Sequence, residues 1–356
     1  MRGLDFPIFK TKNDSSREYN LSDPEERKAY FWEKSEEDIK AVAEYLEDNT
    51  FIAYLLGKKQ AGKGTYSKLL AEIFGKDKIR HLSVGDIVRE TEKIRDNEEE
   101  KEKLLKYLEE NYRGFLSIDD SIEAFFNRNT QTLLPTEFIM MLVKREIDKS
   151  AKSSLLIDGF PRDLDQISYS LYFRELINYR NDPDLFALFD VSEQIIDERI
   201  KYRAICPKCS TSRNLRLFPT KTQGYDKESG EFYLICDNPD CEPVRMVAKE
   251  GDEMGIEAIR DRIETDDELI RKAFSLHGVP KILLRNGMPK NIAEEMADNY
   301  ELTEAANYTF DESTGNVIRT DSEWEIVDDN GIESYSLQAA AVVVSFIKQL
   351  RENLIK

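Results

Sequence analysis

Between the branched and aromatic run Phe51-Ile-Ala-Tyr-Leu-Leu and a helical pattern from Tyr66 to Phe74, the chain reads Gly57-Lys-Lys-Gln-Ala-Gly62-Lys63-Gly64-Thr65. Apolar residues at Leu69, Leu70, Ile73 and Phe74 recur at helical spacing. A strand, a glycine loop and a helix in this order let the backbone wrap so that successive amide N–H groups and the positive helix end face one anion. Lys63 adds a full charge to that cradle, which suits the phosphates of a nucleotide. The loop departs from the generic G-x-x-x-x-G-K-[ST] pattern: Gly64 stands where a hydroxyl is expected, and Thr65 comes one later. The bland alternative is a glycine turn, against which the flanking strand and helix both speak.

Similar apolar runs recur at Ile79–Leu82, Ser154–Ile157, Leu185–Val191 and Lys281–Leu284, separated by longer helical patterns. That alternation predicts an α/β fold with a parallel sheet covered by helices on both faces. The intervals after Val84 and after Val191 are far longer than a plain crossover needs, so each should hold an inserted subdomain. A chain of 356 residues with 40% hydrophobic content can fill such a core. Its formal net charge of −19 argues against nucleic acid and anionic membrane surfaces as partners. No apolar run approaches the ~20 residues of a membrane span, and Met1 to Lys10 lacks the core of a signal peptide. A soluble, cytoplasmic protein is expected. With only His81 and His277, a Ser-His-Asp hydrolase or a multi-histidine metal centre has almost nothing to be built from.

Outside the strands, Ser22-Asp-Pro-Glu-Glu26 reads as a helix start with a capping hydroxyl, followed by one or two helices carrying Tyr30, Phe31, Ile39, Val42, Ala43 and Leu46. Residues 95–112 read as a solvated acidic helix with one buried stripe. Turn signals at Ser313-Thr-Gly315 and Asp329-Asn-Gly331 predict a small antiparallel element before a final helix from about Leu337. The four cysteines fall in two pairs, Cys206-Pro-Lys-Cys209 and Cys236-Asp-Asn-Pro-Asp-Cys241. This layout suits tetrahedral thiolate coordination of a structural zinc ion with all four positions filled; two disulfides or four idle thiols are the alternative.

The Gly62-Lys63-Gly64-Thr65 ending resembles that of adenylate kinases and their nucleoside monophosphate kinase relatives. Two further segments are similar to that family's motifs, in its order. His81-Leu-Ser83-Val84-Gly85-Asp86-Ile-Val-Arg89 resembles S-T-G-D-x-x-R, and Leu156-Ile-Asp158-Gly159-Phe160-Pro161-Arg162 with Gln166 resembles D-G-F-P-R…Q. The resemblance covers roughly Phe51 to Gly287 and leaves both ends of the chain unexplained. It implies a P-loop NTPase fold, a three-layer αβα sandwich on a five-stranded parallel sheet, with inserted monophosphate-binding and zinc lid subdomains. The implied divisions are a helical extension (1–50), core with the phosphate loop (51–83), monophosphate-binding insertion (84–150), core (151–203), zinc lid (204–252), core (253–300) and a C-terminal extension (301–356).

Phosphoryl transfer between polyanions needs alignment and charge neutralisation more than covalent help. By resemblance, Lys63 holds the donor's β and γ phosphates, and Arg89 and Arg162 grip the acceptor phosphate. Arg199 covers the donor base, Arg203 reaches its phosphates, and Arg262 faces the transferred group. The donor ATP would further touch Gly57, Gly62, Gly64, Thr65 and Gly287, and the acceptor AMP would touch Ser83, Val84, Leu134, Gly159 and Gln166. Asp86 and Asp158 are the expected holders of magnesium's waters, and Lys249 stands nearest the place of a further lid arginine. Val84 occupies the position where the family's threonine helps select adenine, so UMP and CMP stand beside AMP as acceptors. The implied activity is ATP + AMP to 2 ADP by a monomer. A small-metabolite kinase and a non-catalytic nucleotide-dependent regulator are the competing readings. Because the chain is acidic overall, a real site must gather its cations into one positive island.

Overall fold

The computed structural model describes residues 1–127, 136–150, 152–162 and 180–355. In chain order the first part contains α1 (Pro24–Asp48), β1 (Ile52–Gly57), α2 (Lys63–Phe74), β2 (Ile79–Ser83), α3 (Val84–Lys93), α4 (Glu98–Asn111), α5 (Ile118–Asn127), α6 (Thr136–Lys149), β3 (Ser154–Asp158) and β4 (Asp184–Asp190). Then come α7 (Glu193–Lys201), β5 (Arg203–Ile205), β6 (Ser212–Asn214), β7 (Gln223–Asp226), β8 (Glu231–Leu234), β9 (Val247–Ala248), α8 (Arg260–Ser275) and β10 (Lys281–Arg285). The chain finishes with β11 (Gly287–Pro289), α9 (Lys290–Met296), β12 (Glu304–Asp311), β13 (Asn316–Glu323), β14 (Glu325–Val327), β15 (Glu333–Ser336) and α10 (Ala339–Leu354).

All five expected strands pair in parallel in one sheet, ordered β10-β4-β1-β3-β2. Period-two alternation in β1 sends Phe51, Ala53 and Leu55 to one core and Ile52, Tyr54 and Leu56 to the other. Every residue of β1 is buried, as a central strand between two helical layers requires. The first layer draws on α1, α2, α7 and α10, the second on α3, α4, α6 and the Ile270/Ala273 stripe of α8. Each large apolar side chain so buried contributes about 1.5–3 kcal/mol. The result is the α/β sandwich of a P-loop NTPase.

Much of both ends of the chain joins the first layer, while Met1 and Phe6 are buried in the second. The fully buried Glu301 carboxylate accepts hydrogen bonds from Tyr30 Oη and Thr11 Oγ1, each at 2.6 Å. Arg351 of α10 reaches Asp38 of α1 at 2.7 Å. Segments before 50 and after 300 are thus tied to each other beside the first layer.

Several local expectations change. The cap of α1 is the Asp23 carboxylate, which accepts from the Glu25 and Glu26 amides, in place of the Ser22 hydroxyl. Pro24 at the first helical position makes Asp23 the last residue before the helix. The helix kinks at Ser35 (φ −150°, ψ 28°), which reconciles the one-or-two-helix reading. The acidic segment is α4, capped by Asn97 and buried at Leu104 and Leu108. Gly287 lies in a short strand, β11, which pairs antiparallel with β15, Gly287 opposite Ser336. The final helix begins at Ala339.

After α7 the chain enters a small lobe: β5 between β6 and β9, then the β7–β8 hairpin, with Cys206, Leu234, Cys236 and Met246 as its own buried cluster. Among the described residues, no helix is long and apolar enough to cross a membrane.

Candidate active site

Strand register sets the geometry. Leu55 of β1 and Ser83 of β2 both lie opposite Asp158 of β3, so the loop after β1, the start of α3 and the end of β3 meet at the carboxyl edge of the sheet. Ligands of open α/β sheets bind in that crevice. The loop itself is shaped by Gly62, whose φ of +95° is reserved for glycine and turns the backbone into α2. A Cβ there would lie 3.3 Å from the Tyr66 ring and 3.5 Å from Arg199 Nη1. Gly57 has Phe189 Cβ within 3.0 Å of where its own Cβ would stand. Gly64 faces His81, and Thr65 is exposed, its amide donating to the Gly62 carbonyl at 2.8 Å.

Lys63 Nζ donates to the Gly57 carbonyl at 2.7 Å and lies 3.7 Å from Asp158 Oδ1. Gly57, Lys63, Asp158, Gly159, Arg262 and Asp266 line one pocket. Arg262 donates to the Arg162 carbonyl at 3.0 Å and pairs with Asp266 at 2.7 Å. A Cβ on Gly85 would stand 3.4 Å from Arg89 Nη1 and 3.7 Å from Arg162 Nη2, so both arginines converge on the start of α3. Val84 is buried, and its Cβ stands 3.6 Å from where a Cβ on Gly159 would lie. Ser83 caps α3, its hydroxyl accepting from the Asp86 amide. Arg199 Nη1 donates to the Gln60 carbonyl at 3.0 Å, and Arg203 forms a two-pronged pair with Asp252 at 2.6 and 2.7 Å.

The charges read as one island. Burial lowers the Lys59 ammonium below its ordinary pKa, and Lys249, Arg203 and Arg262 push it the same way while Asp266 opposes. Burial likewise lowers Arg162, with Arg262 adding repulsion and Asp158 and Asp266 opposing. Three cations from the chain segments that flank the cysteine lobe therefore act on one lysine of the phosphate loop. Burial depresses the His81 imidazole despite the nearby Asp158 and Asp86 carboxylates, so it is neutral at pH 7. Burial opposes ionisation of Asp86, but hydrogen bonds with Arg89 and Ser83 hold it below the usual carboxylate range. Asp158 and Asp86 both act on His81, so two hard oxygen donors flank the cradle, as a magnesium ion and its waters would need. Gly287 and its β11 neighbours sit beside the end of β10. Leu134 and Gln166 lie outside the described residues.

In the cysteine lobe, the Sγ atoms of all four cysteines lie within 4.8 Å of one another. Cys206 and Cys241 are 3.8 Å apart and Cys209 and Cys236 3.7 Å. Zinc–sulfur bonds of about 2.3 Å in a tetrahedron give edges of roughly 3.8 Å, so the spacing fits one metal and is far too long for disulfides. Hydrogen bonding with Thr211 pulls the Cys209 thiol down to about 5, while burial and the neighbouring thiols push Cys241 up to about 12, as expected of crowded sulfurs that cannot all ionise without a cation between them.

Three residues at the site escaped sequence reasoning. Asp266 accepts from the Lys59 amide at 2.8 Å while pairing with Arg262; its position four residues after Arg262 on one helix face was the available signal. Lys58 and Lys59 were visible in the loop but without partners to give them meaning.

No family model matches the chain. The adenylate kinase of Thermotoga petrophila is 32% identical over 237 residues, spanning 66% of this chain and 89% of that protein. That of Thermotoga maritima is 31% identical over the same length and the same shares. The adenylate kinase of Clostridium acetobutylicum is 32% identical over 171 residues, 48% of this chain and 67% of that protein. Relatives at this identity, matched over nearly their whole length, together with a parallel sheet that carries a glycine cradle at its crevice, place the chain in the adenylate kinase family, as a phosphotransferase.

Proposed function

We propose that the protein transfers the γ-phosphoryl group of ATP to AMP, reversibly and with magnesium, as the names of its relatives suggest. The observation that carries this reading is the gathering of Lys63, Arg262 and Asp158 around one pocket, with Arg162 beside it through the hydrogen bond from Arg262 to its carbonyl, in a chain whose net charge is −19. Lys63 and the loop amides hold the donor's β and γ phosphates, and Arg199 flanks its base. Arg89 and Arg162, beside Gly85 and Gly159, take the acceptor phosphate in the forked geometry of guanidinium. Arg203, Arg262 and Lys249 supply positive charge around the transferred group, which offsets the repulsion between two polyanions. Asp158 and Asp86 would hold the waters of magnesium, whose charge bridges the donor phosphates when bound. Four thiolates would hold zinc in the lobe of residues 204–252, stiffening a lid that excludes water. The insertion of residues 84–150 would hold the acceptor.

Val84, without a hydroxyl, favours UMP or CMP as a second reading of the acceptor. One assay separates these: ADP formation from ATP with each of AMP, UMP, CMP and GMP. AMP is expected to give the highest kcat/KM, and Arg162→Ala to lower kcat by on the order of 10³-fold. Turnover of a small metabolite with none of the four would overturn the proposal.

A further inference from the structure

Lys58 belongs to the phosphate loop, yet its side chain does not line the pocket that holds Lys63. It is 1% exposed, and its ammonium donates to Asp329 Oδ2 at 2.6 Å, with Glu193 and Asp267 carboxylates at 3.6 and 3.9 Å. A sealed lysine charge is tolerated only when carboxylates surround it. On the other side of the same residue, the Lys58 carbonyl accepts from the Ala61 amide at 3.0 Å and lies 3.4 Å from Lys63 Nζ. The side-chain anchor therefore fixes a carbonyl that shapes the loop and orients its lysine.

Asp329 sits in the turn between β14 and β15, 271 residues away from Lys58. Its other oxygen accepts from the Glu193 amide at 2.8 Å, the first residue of α7, whose Arg199 reaches back to the Gln60 carbonyl. The turn is itself pinned. Asp328 pairs with Arg285 at the end of β10 at 2.9 Å and accepts from the Asn330 and Ile332 amides. A rigid support thus touches the phosphate loop and the helix that carries the donor-side arginine at one carboxylate.

We propose that Asp329 is a positioning residue for phosphoryl transfer: it holds Lys58 out of the phosphate site and so sets the loop geometry that aims Lys63. The proposal rests on the kinase reading above. Without that carboxylate, the Lys58 ammonium loses its closest partner and the loop loses its outer anchor.

Asp329→Asn keeps an acceptor for the Glu193 amide and removes the charge that pairs with Lys58 and, at 3.5 Å, with the Met1 ammonium; Lys58→Met keeps the apolar stem and removes the ammonium. The full chain and both variants are compared for kcat, KM of ATP, KM of AMP and thermal midpoint. Asp329→Asn is expected to raise the KM of ATP and lower kcat, reducing kcat/KM for ATP by about five- to twentyfold, with the KM of AMP unchanged. The double variant should lose no more than the worse single one, since Lys58→Met removes an interaction that Asp329→Asn has already removed. Asp329→Glu should recover part of the loss. A merely structural role would lower the midpoint and leave both KM values alone, and that result overturns the proposal, as do additive losses. If Asp329→Asn does not fold, Lys58→Met decides: an unchanged KM of ATP refutes the idea. A wild-type chain that phosphorylates no monophosphate fails the kinase reading instead. Calorimetric affinity for magnesium ATP then decides on Asp329, weaker binding by the variant supporting its role and equal binding refuting it.

Discussion

Gly62 combines two demands that only a residue without a Cβ satisfies: a φ of +95° and a ring, Tyr66, 3.3 Å from any Cβ placed there. Gly315 has a similar φ of +70° but open space around it. Gly62→Ala and Gly315→Ala should therefore both lose about 1–2 kcal/mol in denaturant titration. Only Gly62→Ala should also weaken ATP binding, because it alone moves amides of the cradle; equal ATP affinity in the two variants would contradict the loop's assignment. At this scale the sequence was most legible where function and local conformation coincide. Lys63, Arg162 and Asp158 stand in short motifs, and the structure brings them to one crevice. Lys58 and Asp329 were illegible for the opposite reason: each takes its meaning from the other, 271 residues distant, and nothing local marks either; of Asp266 only the pair with Arg262 was local, its hold on the Lys59 amide being 207 residues away.

Elements carry the next level of constraint. Strands buried on both faces announced themselves as apolar runs, which is why the parallel sheet was readable, whereas no local pattern carried its order β10-β4-β1-β3-β2. The cysteine lobe was readable from spacing alone, because four thiols in a lobe with only a four-residue buried cluster have little else to fold around. Its strands are two to four residues long and contribute few apolar contacts. Metal removal should therefore unfold this lobe while the sheet survives. The purified chain is expected to contain about one zinc, and chelation should release it with loss of hydrogen-exchange protection confined to residues 203–248. A metal-free chain with that protection intact would contradict the zinc site.

Across the whole molecule, the C-terminal extension reaches the same lobe from outside. Phe310 of β12 stacks on Tyr225 of β7 with ring centroids 4.5 Å apart at 21°, and Tyr308 packs on Phe232 of β8 at 5.5 Å. Tyr308 Oη also donates to the Leu215 carbonyl at 2.6 Å, and the Ala306 amide to that of Arg216 at 2.8 Å. The extension is anchored at its far end by α10, whose Phe346 meets Phe189, and Phe189 stacks on Tyr66 behind the phosphate loop. One continuous body therefore touches both the cradle and the proposed lid, so opening of the lobe must break aromatic contacts with the β12–β13 hairpin. Such a ring pair is worth about 0.5–1.5 kcal/mol beyond its area. Phe310→Ala should accordingly speed amide exchange across Gln223–Leu234 by about three- to tenfold. The exchange of β1 and β4 should not change, since neither strand touches the hairpin's rings. Unchanged exchange in β7 and β8 would mean that the extension and the lobe move independently, and the hairpin would then have no hold on the lid.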